Sequence, residues 1–496
     1  MSKYKFLSTP IYYPNGKPHM GHAFTNMQTD IMVRMYNLYG YETLFSTGVD
    51  EHGTKVQQKA ESNKLSPQAW VDQLVDNFYG LNNLLDLSEH RFVRTSDESH
   101  QKLVKDIWMK ISENDDFYLK DYEGLYCVGS ESFIKESDLI DGNCPGFGVP
   151  PVKMNESNYF FKLSKYLPKI KEMIEKKEIN IQPEYRAKEV LNMIEHLGDF
   201  SVSRPKSSLE WGVEVPNDAD HVMYVWIDAL SNYLTVLGYP ENMHEFEKFW
   251  PNVENIIGKD ILKFHAIYFP AMCLSLGINP VSKIYAHGMI LVDGQKMSKS
   301  IGNVIDPIAV IEKYGSDVVR FSVNREMPMG SDGDFSEDRL KEIYASDLQS
   351  NIGNLFSRVV TMSHKFCDGE IKSDDFTEIK EAKEKLESDV FKHLENFEVR
   401  KMNECILEFS SFLNKYVEEN KPWALNKEGN LDRLNVVLSN LLEGIRFLAC
   451  FLSPILTKKT RDMQQILNLE NFDLALTYKV GDKVNTISPL FPNLTD

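Results

Sequence analysis

Apolar positions recur with two different periods along the chain, and the changes of period divide it. Over residues 4–112 short apolar runs alternate with helical spacing. A strand is predicted at Lys5–Ser8, followed by a loop, Pro14-Asn15-Gly16-Lys17-Pro18. A helix then begins near His19; its Ala23, Met27 and Ile31 recur every four residues, and Gly40 stops it. A second strand, Thr43-Leu44-Phe45-Ser46-Thr47, ends in Gly48-Val49-Asp50-Glu51-His52. Strand–helix–strand order with short connections predicts an α/β, doubly wound parallel sheet.

The alternation breaks between about Asp115 and Asn217, where Gly142, Cys144, Pro145, Gly146, Pro150 and Pro151 crowd together and mark an insertion. It resumes with Val222-Met223-Tyr224-Val225-Trp226-Ile227, read as an apolar stretch before a helix. Asn255–Gly258 reads as a strand, Asp260–Leu276 as the helix after it, and Ile284–Gly288 as a further strand. From about Asp347 to Leu467 the spacing is helical, as in Met402–Val417 and Leu434–Leu452, and predicts a bundle with an exposed loop at Asp368–Phe376. The expected organisation is therefore a first half-domain at 1–114, a connective insertion at 115–217, a second half-domain at 218–346 and a helical domain at 347–496.

Charge narrows the classes of function. With 55 basic against 73 acidic residues the net charge is −18, which excludes a whole-surface nucleic-acid binder but not a local basic face. Lys162, Lys165, Lys169, Lys171, Lys176 and Lys177 form one such candidate, with a solvated helix face as the alternative. Cys127, Cys144, Cys273, Cys367, Cys405 and Cys450 are too sparse for a disulfide framework. No signal-like leader and no apolar run of membrane-span length were evident, so a cytoplasmic protein with no membrane partner is expected.

Two motifs carry chemistry. Pro18-His19-Met20-Gly21-His22 stands where a strand gives way to a helix, so N–H groups and the positive end of the helix dipole can face phosphate. Gly21 lets a ligand approach the backbone, and His19 and His22 can donate to phosphate oxygens without a fixed charge. Lys296-Met297-Ser298-Lys299-Ser300 follows a strand and is flanked by Gly294 and Gly302. Its two lysines suit a loop that neutralises charge on a leaving pyrophosphate. Each motif has a bland reading, surface histidines on a first helical turn or a basic surface turn. Together and in this order they imply two parts of one nucleotide site.

With these motifs the chain resembles the class I aminoacyl-tRNA synthetases, and among them the branch that handles methionine. The likeness rests also on Thr9-Pro10-Ile11-Tyr12-Tyr13-Pro14-Asn15-Gly16, Thr47-Gly48-Val49-Asp50-Glu51-His52-Gly53, Tyr224-Val225-Trp226-Ile227-Asp228-Ala229 and Ile257-Gly258-Lys259-Asp260-Ile261 with Phe264-His265. It implies a Rossmann-like catalytic domain and a C-terminal anticodon-binding bundle. It implies activation of methionine by ATP with Mg²⁺, and transfer to the methionine-specific tRNA. His19, Gly21, His22, Lys296, Ser298 and Lys299 would hold ATP, with His19, His22, Lys296 and Lys299 catalytic. Ile11, Tyr13, Asp50, Trp226, Ala229, Tyr233, Ile261 and His265 would hold methionine. There Asp50 would take the ammonium group (its alternative is a helix N-cap), and Tyr233 and His265 could mark the sulfur weakly. Asn354, Arg358 and Trp423 would read the anticodon, Trp423 by stacking, with a helix-end core residue as its alternative.

Two positions depart from the family pattern. Leu230 follows Ala229 where proline is common, an apolar exchange that leaves specificity intact. In the insertion, where relatives bind zinc through two paired ligand sets, the chain has Cys127 with Ser130 and Cys144 with Phe147. Two thiols do not complete a four-ligand set, so no zinc is expected. The chain ends at Asp496 without the dimerising domain that some relatives append, so a monomer is expected. A nucleotidylyltransferase, a large aliphatic synthetase with an editing insertion and an inactive tRNA-binding homologue are the rival readings.

Overall fold

The structure is a computed structural model that describes residues 3–14, 16–127, 132–134, 136–145, 148–297 and 302–493. Contacts gather into two compact units. The first comprises Met1–Pro18, Leu44–Gly80 and Glu89–Ala286, and the second His19–Thr43, Leu81–Ser88 and His287–Asp496.

The first unit is organised on a six-stranded sheet. Its strands are β1 (Tyr4–Tyr12), β2 (Glu42–Val49), β3 (Arg91–Arg94), β4 (Asn180–Gln182), β5 (Val253–Gly258) and β6 (Lys283–His287). They lie in the order β3-β2-β1-β5-β6-β4. The pairs β2–β3, β1–β5 and β6–β4 are parallel. Chain order reverses between β1 and β5, the switch point at which doubly wound sheets bind ligands. β1 is buried along nearly its whole length, as expected of a strand covered on both faces. Its one lysine, Lys5, is neutralised by Glu254 of β5 at 2.6 Å.

The insertion contributes more to this sheet than its composition suggested. Asn180–Gln182 pairs with Lys283–Tyr285, so winding resumes inside residues 115–217. A three-residue strand shows no period, which is why the sequence hid it. On either side of it in the chain, Ser132–Ile134, Phe117–Cys127, Val152–Phe161 and Phe200–Ser201 form a separate antiparallel sheet in that order. The basic cluster is a salt-bridged face. Lys162 meets Asp115 at 2.8 Å, Lys165 meets Asp116 at 2.7 Å and Lys176 meets Glu172 at 2.5 Å, while Lys169, Lys171 and Lys177 reach Glu172, Glu195 and Glu184.

Two further expectations are corrected. The apolar stretch at 222–227 is not one element: a strand ends at Met223 and helix α2 (Val225–Leu230) starts within the stretch. Residues 260–276 are not one α-helix either; a 3-10 turn at Lys259–Ile261 and a π-helical segment at Phe264–Tyr268 precede an α-helix at Phe269–Ser275. Pro270 has no N–H to give Ala266 and its ring crowds that carbonyl, so the helix widens ahead of it.

The second unit contains helix α1 (Met20–Leu38) and the C-terminal helices, among them α3 (Asn354–Cys367), α4 (Pro422–Glu428) and α5 (Leu431–Leu452). Arg320 and Asp30, both fully buried, pair at 2.6 Å and tie α1 to the helix Ser316–Glu326. Burial alone would raise the Asp30 pKa, but Arg320 and Arg34 beside it hold it below the usual carboxylate range. α5 corrects the statement on apolar runs: its 22 residues are long and apolar enough to cross a membrane, with a mean hydropathy of 1.4 over its best window. That window is 89 % buried inside the protein, and the helix carries the internal pair Glu443–Arg446 at 2.7 Å.

Candidate active site

Two strands of the first unit end at residues expected to hold methionine. β1 delivers Ile11 and Tyr13, and β2 delivers Asp50, whose backbone N–H donates to the Tyr12 carbonyl at 2.8 Å. Asp50 is buried and lies ahead of a helix that Gly53 caps, so it is not an N-cap. Glu51 beside it is structural, accepting from Arg94 at 2.9 Å and from Ser96. From α2, the Trp226 ring stands edge-on to Tyr13 at 6.5 Å and lies flat on Phe264, centroids 3.6 Å apart. Its buried indole N–H has no acceptor among the described residues. Ala229 and Leu230 are buried on the same short helix.

The pair expected to mark sulfur behaves otherwise. The His265 Nδ1–H donates to the Ile261 carbonyl at 2.9 Å, and the Tyr233 hydroxyl lies 2.7 Å from Nε2. Burial pulls the His265 pKa down to about 4, against the raising influence of the Ile261 carbonyl, so the ring is neutral at pH 7 and Nε2 is an acceptor. Burial pushes the Tyr233 hydroxyl far above its ordinary value, so it keeps its proton and gives it to that nitrogen. Both donor hydrogens are thus used inside the protein. This pair has no hydrogen left for a thioether and can meet one only by shape and polarizability.

Behind α2 lies a network that the sequence did not signal. The Asp228 carboxylate is buried and accepts from His52 Nδ1–H at 2.7 Å and from His100 Nε2–H at 2.9 Å. The other His100 nitrogen faces the Thr235 hydroxyl at 2.8 Å. Burial would raise the Asp228 pKa, but the two imidazoles hold it at about 2. The three residues are too far apart for any spacing rule to join them, although His52 stands in the Asp50-Glu51-His52 run and Asp228 two residues after Trp226.

The second unit holds the phosphate motifs. His19 caps α1: its Nδ1 accepts from the Gly21 N–H at 3.1 Å, while its own N–H donates to His22 Nδ1 at 3.1 Å. The two rings stack at 3.8 Å. With both Nδ1 atoms accepting, each neutral ring carries its proton on Nε2. Gly21 is also needed inside the protein. A Cβ there would stand 2.9 Å from His19 Cε1, so glycine makes room for the capping ring.

Lys296 is exposed at the end of a hairpin in which Gln295–Lys296 pairs with Leu291–Val292. Asp293 and Gly294 both have positive φ, 51° and 71°, as a tight two-residue hairpin turn requires. The Gly294 N–H is fixed by the Asp334 carboxylate at 2.9 Å. Ser298 and Lys299 lie outside the described residues. The chain beyond them returns to the histidine motif, where the Met20 N–H donates to the Ile305 carbonyl at 3.3 Å. Gly288, before the hairpin, was missed; a Cβ there would lie 2.0 Å from the Ser331 carbonyl oxygen.

The helical residues expected to read the anticodon lie together. Arg358 and Trp423 line one cavity of 540 Å³ with Ser357, Thr361 and Met362. Trp423 is 43 % exposed, so it is not a core residue. Asn354, one turn before Arg358, lines a neighbouring cavity of 350 Å³ with Gln349, Ser350 and Phe491, and Ser357 borders both. Arg358 is held by Glu418 at 2.5 Å.

In the insertion, Cys127 and Cys144 meet. Burial first, and then the neighbouring Cys127 thiol, push the Cys144 thiol up to about 11. Backbone bonds from Gly148 to Cys144 and from Cys144 to Val149 close the turn around them. Ser130 and Phe147 lie outside the described residues. Among the described residues no group of three or more His, Cys, Asp or Glu side chains could hold a metal ion.

The sequence and the structure both have known counterparts. The family model of class I tRNA synthetases (M) matches residues 5–151 and 147–360. A methionine–tRNA ligase of Caldanaerobacter subterraneus is 40 % identical over 100 % of this chain and 79 % of its own length, and one of Clostridium tetani is 41 % identical over 99 % and 78 %. The structure of Mycobacterium tuberculosis methionyl-tRNA synthetase in complex with methionyl-adenylate superposes with a TM-score of 0.94 at 34 % identity, covering 99 % of this chain and 100 % of the other. A parallel sheet whose chain order reverses between β1 and β5, a capped histidine motif and likeness over the whole of this chain agree, and the chain belongs to the class I methionyl-tRNA synthetases.

Proposed function

We infer that the chain couples ATP cleavage to the attachment of methionine to its tRNA. A methionine carboxylate oxygen attacks the α-phosphorus of ATP, the bond to the bridging oxygen of pyrophosphate breaks, and methionyl-adenylate forms. The terminal ribose hydroxyl of the tRNA then attacks the methionyl carbonyl carbon, loses its proton, and AMP leaves. No protein nucleophile is needed; positioning and stabilisation of developing charge suffice.

Ile11, Tyr13, Trp226, Ala229, Tyr233, Ile261 and His265 hold the methionine side chain, and Asp50 takes its ammonium group. His19 and His22 offer Nε2–H donors to the triphosphate beside Gly21. Lys296, Ser298 and Lys299 meet the triphosphate with its Mg²⁺, and Lys296 and Lys299 stabilise the pyrophosphate as it leaves. Asn354, Arg358 and Trp423 read the anticodon, within a helical domain at 347–496 that follows the catalytic halves and the insertion. As a supplier of translation the enzyme works in the cytoplasm.

The observation that carries the methionine reading is the Tyr233–His265–Ile261 chain, whose two donor hydrogens are bonded inside the protein and so are not offered to a polar side chain. Pyrophosphate exchange measured with each of the twenty amino acids tests it. Methionine alone should support rapid exchange. Exchange driven equally by glutamine, or no exchange with any amino acid, refutes the assignment, and the latter favours a tRNA-binding homologue without catalysis.

A further inference from the structure

His287, the last residue of β6, belongs to the second unit and has no part in the roles above. Its buried ring is fixed at both nitrogens. Nδ1 lies 2.8 Å from the carbonyl oxygen of the neighbouring Gly288. A carbonyl only accepts, so Nδ1 carries the proton and Nε2 of the neutral ring is an acceptor. The Thr25 hydroxyl, 2.8 Å away, donates to it. Thr25 is buried on α1, one turn after Gly21, and its oxygen also stands 3.1 Å from the Gly21 carbonyl. The Phe24 ring beside it meets the imidazole at 77°, with centroids 5.1 Å apart. One side chain thus ties the start of the lysine hairpin to the helix that carries His19 and His22.

The hairpin is fastened elsewhere to a different segment. Gly288 is pressed on the Ser331 carbonyl, where a Cβ would not fit. The Met289 N–H donates to the Asp332 carboxylate at 2.9 Å, and the Gly294 N–H to that of Asp334 at 2.9 Å. Ile290 and Leu291 pair with Gly333 and Asp334. Of these fastenings, the His287–Thr25 bond is the one made to α1. After the lysine motif, the Met20 N–H meets the Ile305 carbonyl at 3.3 Å, a long distance for a hydrogen bond.

Activation as inferred above needs the histidines of α1 and Lys296 of the hairpin to meet one triphosphate. Such chemistry depends on placement, and a shift of about 1 Å can cost roughly a hundredfold in rate. We propose that Thr25 and His287 are positioning residues for the activation step. They set the hairpin bearing Lys296 against the histidine turn, and act through the backbone of residues 288–296. The proposal rests on the two-step reading and deepens it by naming the contact that registers one phosphate motif on the other.

Three substitutions test it. Thr25→Val keeps the size of the side chain without the hydroxyl, Thr25→Ser keeps the hydroxyl, and His287→Asn keeps a donor for Gly288 but is too short for Thr25. In Thr25→Val the kcat of methionine-dependent pyrophosphate exchange should fall by about tenfold or more, while the KM for methionine stays within about twofold. Thr25→Ser should remain within about threefold of wild type, because the bond survives. His287→Asn should match the valine variant, and the double variant should lose no more than either single one. Backbone amides of residues 288–296 should take up deuterium faster in Thr25→Val than in wild type. Undiminished kcat in Thr25→Val, a methionine KM that rises in step with the loss, losses that multiply in the double variant, or unchanged deuterium uptake overturns the proposal. Should the valine variant fail to fold, His287→Asn carries the same readings of kcat, KM and deuterium uptake. Absence of pyrophosphate exchange in the wild type, with deuterium uptake as expected, would refute the two-step reading and leave the tie between Thr25 and the hairpin standing.

Discussion

Replacing Asp228 by alanine takes the acceptor from two buried imidazole N–H groups at once, those of His52 at 2.7 Å and His100 at 2.9 Å. Each buried donor left without a partner costs about 1–3 kcal/mol. Removing one partner of a buried charged cluster typically costs about 3–5 kcal/mol. The loss expected for Asp228→Ala is therefore about 3–5 kcal/mol, a large part of the ~5–15 kcal/mol that holds a domain folded. Asp228→Asn should lose less, about 1–2 kcal/mol. Its amide can face His100 if that ring moves its proton to the nitrogen beside Thr235, which lies 2.8 Å away. Urea unfolding followed by tryptophan fluorescence reads both values. The same measurement against pH carries a sign. The Asp228 pKa is lowered from 3.8 to about 2, so its contribution is complete above pH 4 and disappears as pH falls from about 4 to 2. That gap corresponds to about 2 kcal/mol of acid-sensitive stability, which the alanine variant should lack. Because Trp226 and Ala229 flank Asp228 on one helical turn, the KM for methionine should rise in both variants. Asp228→Ala within about 1 kcal/mol of wild type, or with the same acid slope, would refute the reasoning.

Four other outcomes are expected. Tyr233→Phe leaves His265 Nε2 a buried acceptor without a donor and should cost about 1–3 kcal/mol in urea unfolding; no change would mean that the hydroxyl does not face the ring. Lys299→Ala should keep the circular dichroism of the wild type but lose pyrophosphate exchange by a factor of hundreds, about 3–4 kcal/mol of transition-state contact; activity within a few-fold of wild type would remove it from the site. Trp423→Ala should leave exchange intact and weaken tRNA charging by about 1–3 kcal/mol, whereas parallel loss of both activities would argue for a structural role. Elemental analysis should find well under one zinc per chain, with activity unchanged by chelation; one tight zinc lost in Cys127→Ala would show ligands other than Ser130 and Phe147.

What could be read from sequence was what repeats or stands together. The four-residue period of Ala23, Met27 and Ile31 marks α1, and adjacent residues such as His19 and His22 announce a motif because they cap the same helical turn. What could not be read depends on pairing across distance. Asn180–Gln182 becomes a sheet strand only because Lys283–Tyr285 lies ready beside it. His52, His100 and Asp228 become one network only after the sheet has brought three segments together. At Gly21 the sequence could not show that a Cβ would also crowd His19, because that contact depends on how the capping ring turns. Pro270 was visible all along as the signal that residues 260–276 could not be one regular helix.

The closed chain Tyr233–His265–Ile261 also sets what kind of mistake this enzyme is able to make. At that end of the proposed pocket every hydrogen is already bonded, so a hydroxyl or amide that enters there gives up water and receives nothing in return. That end has no corresponding way to reward sulfur. A straight chain with a methylene or selenium at that atom differs from methionine only in bond length and polarizability, terms of the order of 1 kcal/mol or less. Discrimination among such near-isosteres therefore passes from the protein to the relative abundance of the amino acids around it. The barrier against polar metabolites is built into the fold.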